Sequence, residues 1–286
     1  MGGALGFVGL GVMGEPMCRN LARKSGRSVV AWDLRRDALA RLAADGVAAA
    51  RSLEDVSKKA QIVFLSLPGE REIRQVVEGL QGNTVVDCST APVALAKELA
   101  QRLENFADAP VARTRQAAID GTLSIMVGAS DSLFARIEPL LRCMASEVTH
   151  CGPPGAGQAV KLLNNMVLAE TVMALAEALA VAKASGAVDP KVLFETLMKG
   201  SADSFALRNH GMKALLPETH PERAFPVTYM LKDVGYALEL AGSAGLRLQG
   251  AHALFELLKE TQEMGFGEAY HTAIIEAIRK RRIIDQ

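Results

Sequence analysis

Cysteine is scarce in these 286 residues, and the four present (Cys18, Cys88, Cys143 and Cys151) form no C-x-x-C pair. That argues against a disulfide framework or a zinc site, and four reduced thiols suit a cytoplasmic protein. Histidine is sparse too: His150, His210, His220, His252 and His271 show no metal-site spacing and read as surface or structural residues, so no metal is expected. A charge surplus is missing altogether, with 32 basic against 32 acidic residues. No global field then draws in nucleic acid or an anionic membrane. The most apolar long segment, Ala159 to Ala182, is interrupted by Lys161, Glu170 and Glu177. It reads as a buried helix, and no membrane association is expected. The opening residues lack a signal-peptide pattern, and neither an internal repeat nor a low-complexity segment is present.

What is there is a globular composition, 49% hydrophobic and 22% charged, on a chain long enough for two domains. The first half alternates short β-rich runs with charged or alanine-rich helical stretches. Ala4–Val8, Ser28–Asp33, Ile62–Leu67 and Thr84–Cys88 read as buried strands, with further strands near Phe106–Pro110, Leu123–Val127 and Glu147–Cys151. This alternation predicts an α/β domain, a doubly wound parallel sheet with helices on both faces. From about Gly157 the strand signal disappears. Gly152-Pro-Pro-Gly155 breaks the chain at that transition, and Gly186-Ala-Val-Asp-Pro190 ends one helix and starts the next. The expected organisation is a domain over residues 1–156 followed by an all-helical domain over 157–286 that opens with a long linking helix.

Gly9-Leu10-Gly11-Val12-Met13-Gly14 carries G-x-G-x-x-G between a strand and a helix. Gly9 permits the tight turn, Gly11 lets backbone approach a pyrophosphate, and Gly14 lets the helix pack on the sheet with its N-terminus toward the phosphates. Asp33 ends the second strand 24 residues after Gly9, where a carboxylate accepts from a ribose diol. Asp33 favours NAD, because a carboxylate there repels a 2′-phosphate. Arg35 and Arg36 pull the other way and leave NADP open.

Gly155-Ala-Gly-Gln-Ala-Val-Lys161-Leu-Leu-Asn164-Asn165 places a lysine and two amides near the start of the long apolar helix. Spacings of three and four put all three on one helical face. An ammonium facing inward is costly without partners or a task. Apolar surroundings lower its pKa, which suits a proton donor or acceptor near neutrality. The plain alternative is a lysine that snorkels to water.

These motifs together resemble the 3-hydroxyacid dehydrogenase family, which includes 3-hydroxyisobutyrate dehydrogenase and tartronate semialdehyde reductase. The match runs over nearly the whole chain. Gly9 through Gly14 with Glu15-Pro16-Met17 and Asn20-Leu21 looks like the family's cofactor signature. Leu67-Pro68 and Asp87-Cys-Ser-Thr90 resemble its cofactor-touching strand ends. Asp108-Ala-Pro-Val111 followed by Gly121-Thr122-Leu123 is similar to its substrate loop, and the Lys161 segment to its catalytic motif. Phe225 with Lys232-Asp233 matches a later motif whose lysine closes over the cofactor.

The resemblance implies a Rossmann-like domain, a helical domain, and a homodimer or homotetramer. It implies reversible hydride transfer between NAD(P) and a short anionic hydroxyacid or semialdehyde. Lys161 then moves the proton, Asn165 orients it or the substrate oxygen, and Asn164 holds the anionic end with Arg113 and the backbone near Thr114. Gly121 and Thr122 belong to the same substrate loop, while Thr90 and Lys232 touch the nicotinamide side.

One segment departs from the family. Where relatives carry Ser-Gly-Gly, this chain has Ala112-Arg113-Thr114. Arg-Thr there is similar to a subgroup that includes sulfolactaldehyde reductase, where the arginine grips a sulfonate. A guanidinium fork suits a carboxylate, sulfonate or phosphonate; the plain alternative is an arginine that braces its loop or points to solvent. Leu168, where the sulfonate-binding relatives place a serine, speaks against the sulfonate itself. Three rivals compete with this reading. One is 3-hydroxyisobutyrate dehydrogenase proper, and another is an imine reductase, a branch that generally lacks the lysine. The third is a non-catalytic cofactor-binding module. Arg279-Lys-Arg-Arg282 reads as a solvated helix end, and Ser204-Phe205 as a link between helices.

Overall fold

The computed structural model describes residues 3–222 and 224–281. The chain divides into two units, Met1–Lys161 and Leu162–Gln286. The division falls five residues later than the expected boundary, inside a helix.

The first unit is a nine-stranded sheet. Its strands are β1 (Ala4–Val8), β2 (Val29–Trp32), β3 (Ala48–Ala49), β4 (Ala60–Leu65), β5 (Thr84–Asp87), β6 (Asn105–Asp108), β7 (Val111–Ala112), β8 (Leu123–Gly128) and β9 (Ala145–Gly152). They run in the order β3-β2-β1-β4-β5-β6-β8-β7, with β9 beside β8. From β3 to β6 every pairing is parallel. The sheet is not parallel throughout, however, since β8 runs antiparallel to both β6 and β7. Alternate residues feed different cores: Leu5, Phe7, Ile62 and Phe64 enter one, while Val8, Val63 and Leu65 enter the other. Both sheet faces are therefore dry, as parallel strands under crossover helices require.

The chain winds outward from β1 to β3, then returns to β4 on the other side of β1. That reversal opens a crevice at the carboxyl ends of β1 and β4, the usual ligand position in such sheets. The segments leaving those ends begin at Gly9 and Ser66.

Four expected strands end early, β4 at Leu65 and β5 at Asp87 among them. β6 stops at Asp108, since Pro110 has no N–H to donate, and β2 spans only Val29–Trp32. β3 and β7, two residues each, were not expected, because a pair of residues carries no periodicity.

The second unit is helical, with no strand among its described residues beyond an isolated bridge between Pro226 and Tyr270. The long helix, Ala156–Ser185, begins in the first unit and runs into the second. By length and composition alone it could cross a membrane. Its inner side (Ala169, Val172, Leu175, Ala176 and Leu179) packs with Phe194, Leu207, Met230, Leu254 and Ile274 in one core. After Gly186, Asp189 caps the next helix, Pro190–Leu197, by accepting from the Lys191 and Val192 amides. Arg279, in the C-terminal basic run, pairs with Glu218 and Glu276, while Arg282 lies outside the described residues.

Candidate active site

The three glycines after β1 serve different needs. Gly9 takes φ +92°, and a Cβ there would lie 2.2 Å from the Ser66 carbonyl oxygen. A Cβ on Gly14 would lie 2.0 Å from the Gly9 carbonyl oxygen. At Gly11 a Cβ would meet nothing within 4 Å. The helix Gly14–Lys24 starts from Met13 with no side-chain cap, beside exposed Val12. The Leu10 amide donates to Asp33 Oδ2 at 2.6 Å, and the Arg35 amide to Asp33 Oδ1 at 2.7 Å. Asp33 thus holds the glycine loop in shape as well as standing at the end of β2. An uncapped helix end, an open Gly11 and a carboxylate beyond the second strand fit a dinucleotide's pyrophosphate and ribose.

The neighbouring strand ends are tied together. Leu67 donates its amide to Ser89 Oγ at 2.9 Å, and the Ser89 amide donates to buried Asp87 at 3.0 Å. Pro68 is exposed and Thr90 half-buried, so the outward-facing residues of these loops are the ones expected to meet a cofactor.

Lys161 is only 8% exposed, one turn inside the long helix. Asn165, four residues on, is 5% exposed and donates Nδ2 to Asp233 Oδ2 at 2.7 Å. Asn164 is exposed at the edge of that face and donates to Asn165 Oδ1 at 3.1 Å. Asp233 is itself buried, and its Oδ1 faces Lys232 Nζ at 3.3 Å. Lys232 also lies over the rings of Tyr229 and Tyr236, at 5.7 and 5.4 Å from their centroids.

Arg113 occupies left-handed backbone, φ +84°, a conformation that ordinarily favours glycine. Its Nη1 donates to the Thr122 carbonyl at 2.6 Å and to Ser146 Oγ at 2.7 Å. The guanidinium is exposed, and its Nε–Nη2 edge donates to none of the described residues. Thr114 Oγ1 caps the helix Arg115–Asp120 by accepting from Ala117. Gly121 ends that helix with φ +70° and packs on Asn20 and Lys24. Thr114 and Gly121 therefore carry structural duties of their own, which the motif alone does not reveal.

Sequence reading quoted Asp108, Gln158 and Asp233 inside motifs but gave these buried polar residues no role. Asp108 Oδ1 accepts from Gly155 N and Oδ2 from Gln158 N, at 2.6 and 2.8 Å. Burial pushes the Asp108 carboxyl up to about 6, against the opposing pull of those two amides. Gln158 and Asp233 complete the set. Their place in those motifs was visible in the sequence, but not the bonds they make.

Residues 4–152 match the family described as the NAD-binding domain of 6-phosphogluconate dehydrogenase. Residues 155–278 match the one described as NAD-binding of NADP-dependent 3-hydroxyisobutyrate dehydrogenase. The chain belongs to the 3-hydroxyacid dehydrogenase family. Among its relatives, the 2-(hydroxymethyl)glutarate dehydrogenase of Eubacterium barkeri is 32% identical over 95% of this chain and 93% of that protein. The 2-hydroxy-3-oxopropionate reductase of Escherichia coli (strain K12) is 32% identical over 96% of each. A solved structure of Mycobacterium tuberculosis 3-hydroxyisobutyrate dehydrogenase with L-serine superposes with a TM-score of 0.88. It is 29% identical, over 98% of this chain and 100% of that one. As a 3-hydroxyacid dehydrogenase this protein is an enzyme, an NAD(P)-dependent oxidoreductase with a Rossmann domain followed by a helical region.

Proposed function

We propose that the enzyme interconverts a short anionic hydroxyacid and its carbonyl form, with Lys161 moving the proton and Arg113 holding the anion. The observation that carries this reading is the burial of Lys161 together with Asn165, one turn apart on a helix that is otherwise largely apolar. When bound, the nicotinamide coenzyme supplies or accepts the hydride. In reduction Lys161 donates a proton to the carbonyl oxygen; in oxidation the neutral amine takes the hydroxyl proton. Asn165, fixed by Asp233, orients the reacting oxygen or the lysine. The open Nε–Nη2 edge of Arg113 suits two oxygens of one anionic group. Asp33 supports NAD as the preferred coenzyme, because its carboxylate repels a 2′-phosphate.

A second reading rests on Arg113 Nη1, which is occupied by Thr122 and Ser146. In that reading the arginine only braces its loop, and ordinary 3-hydroxyisobutyrate chemistry leads.

One screen separates the two. NADH and NADPH oxidation is followed with succinic, methylmalonate and tartronate semialdehydes, glyoxylate and sulfolactaldehyde, for the natural protein and for Arg113→Gly. Turnover that collapses in the variant supports Arg113 as the anion anchor, with a loss of about 2–3 kcal/mol for a charged hydrogen-bonded contact. Equal turnover means the arginine is a brace.

A further inference from the structure

The helix that carries Lys161 is fastened at its first turn by residues that lie far away in the sequence. Asp108, at the end of β6, accepts from the amides of Gly155 and Gln158, which a helix N-terminus otherwise leaves to water or a cap. The fit is close. A Cβ on Gly157 would lie 2.5 Å from the Met126 carbonyl oxygen, and one on Gly128 would lie 2.4 Å from Asp108 Oδ1.

Gln158 works in the opposite direction and has no exposed surface. Its Nε2 donates to the Ser89 carbonyl at 2.8 Å, and its Oε1 accepts from the Ala91 amide at 3.1 Å. One side-chain amide therefore grips both sides of Thr90. Ser89 continues the chain of bonds, holding the Leu67 amide through Oγ and Asp87 through its own amide. The loops after β4 and β5, the end of β6 and the first turn of the helix become one hydrogen-bonded piece. Lys161 stands three residues beyond Gln158 on that helix, within the same unit.

We propose that Gln158 is a positioning residue for the reaction: it sets the separation between the Lys161 ammonium and the Thr90 loop that holds the nicotinamide end of the coenzyme. This rests on the roles given above to Lys161 and Thr90. Gln158 is enclosed and acts only through those two. An amide is suited to the place because it offers a donor and an acceptor at one chain length. Misplacing a reacting group by about 1 Å costs on the order of 10²-fold in rate, so a loosened Gln158 is read in turnover.

Two variants test it. Gln158→Met loses both bonds. It is expected to lower kcat by roughly 10–100-fold while the coenzyme Kd, from NAD(P)H fluorescence, moves by less than about threefold, under 0.7 kcal/mol on the affinity scale. Gln158→Glu keeps the shape. Its protonated carboxyl accepts from Ala91 and donates to Ser89 as the amide does, whereas the ionised form turns an oxygen lone pair on the Ser89 carbonyl. Its kcat relative to the natural protein is expected to be near one at acid pH and to fall roughly tenfold or more as the new carboxyl ionises.

A Gln158→Met protein with kcat within twofold of the natural value, or a Gln158→Glu protein that keeps natural kcat at a pH where titration shows the new carboxyl ionised, overturns the proposal. If Gln158→Met does not fold, the pH ratio of the Glu variant decides alone. Lys161→Ala, assayed alongside, keeps the two ideas apart. Turnover surviving that change removes the proton-transfer reading, whereas inactive Lys161→Ala beside unaffected Gln158 variants removes only this one.

Discussion

Lys161 as a residue is only 8% exposed, and enclosure of that degree needs a compensating use for its charge. With general acid–base catalysis as that use, Lys161→Ala is expected to lower turnover by about 10²–10⁴-fold while coenzyme binding persists. Loss of coenzyme affinity with unchanged turnover at saturation would contradict the assignment. Lys161 and Asn165 were legible in the sequence because their spacing is local and the surrounding residues are apolar. The hydrogen bonds of Asp108, Gln158 and Asp233 were not, since the donors and acceptors that fix them stand 47 to 69 residues away and meet only after the elements pack. Arg113 was legible as a departure from the family, but not as a residue in left-handed backbone with one nitrogen already engaged.

The turn between β1 and its helix offers a test at the scale of an element, because its glycines answer to different demands. Gly14→Ala drives a methyl onto the Gly9 carbonyl and is expected to lose about 1–3 kcal/mol of stability, read as a lower urea midpoint. Gly11→Ala meets no protein atom. It should unfold at the natural midpoint, yet weaken coenzyme binding by roughly tenfold or more, about 1.4 kcal/mol. A shifted midpoint for Gly11→Ala, or unchanged coenzyme affinity, would remove the pyrophosphate role from that position. The strand–turn–helix itself was readable from five apolar residues, three glycines and a following helix. β3 and β7 were not readable, being two residues long, and neither was the reversal of β8, which depends on which neighbour a strand finds.

At the scale of the molecule, stability should depend on pH through the second unit. His210, His220 and His271 lie there half-buried or buried, with the rings of His210 and His271 5.0 Å apart. Among the described residues the Nε2 atoms of His210 and His220 meet no hydrogen-bond partner. Burial lowers all three, His210 to about 4 and His271 well below the usual histidine range. The folded chain keeps these rings neutral while the unfolded chain takes up protons below about pH 6.5. The contribution of these histidines to stability is therefore full above about 6.5 and drains away as the pH falls from there towards 4. His210 alone contributes on the order of 3 kcal/mol to that loss. Urea midpoints at pH 7.5 and 5.0 check this: a clear drop is expected, smaller in His210→Gln, and equal midpoints would refute it. The two-part division and the helical second half were legible from the loss of strand pattern after Gly152. The point of division was not, because it falls at Lys161, inside a continuous helix, rather than at a flexible joint. That has a consequence for modularity. A chain cut at the compact boundary would sever a rod of 30 residues, leaving carbonyls on one fragment and amides on the other without partners. A split form of the protein should instead be divided at Pro153-Pro154, ahead of the rod. The first fragment then keeps Asp108, whose carboxyl meets the Gly155 and Gln158 amides at the start of the second.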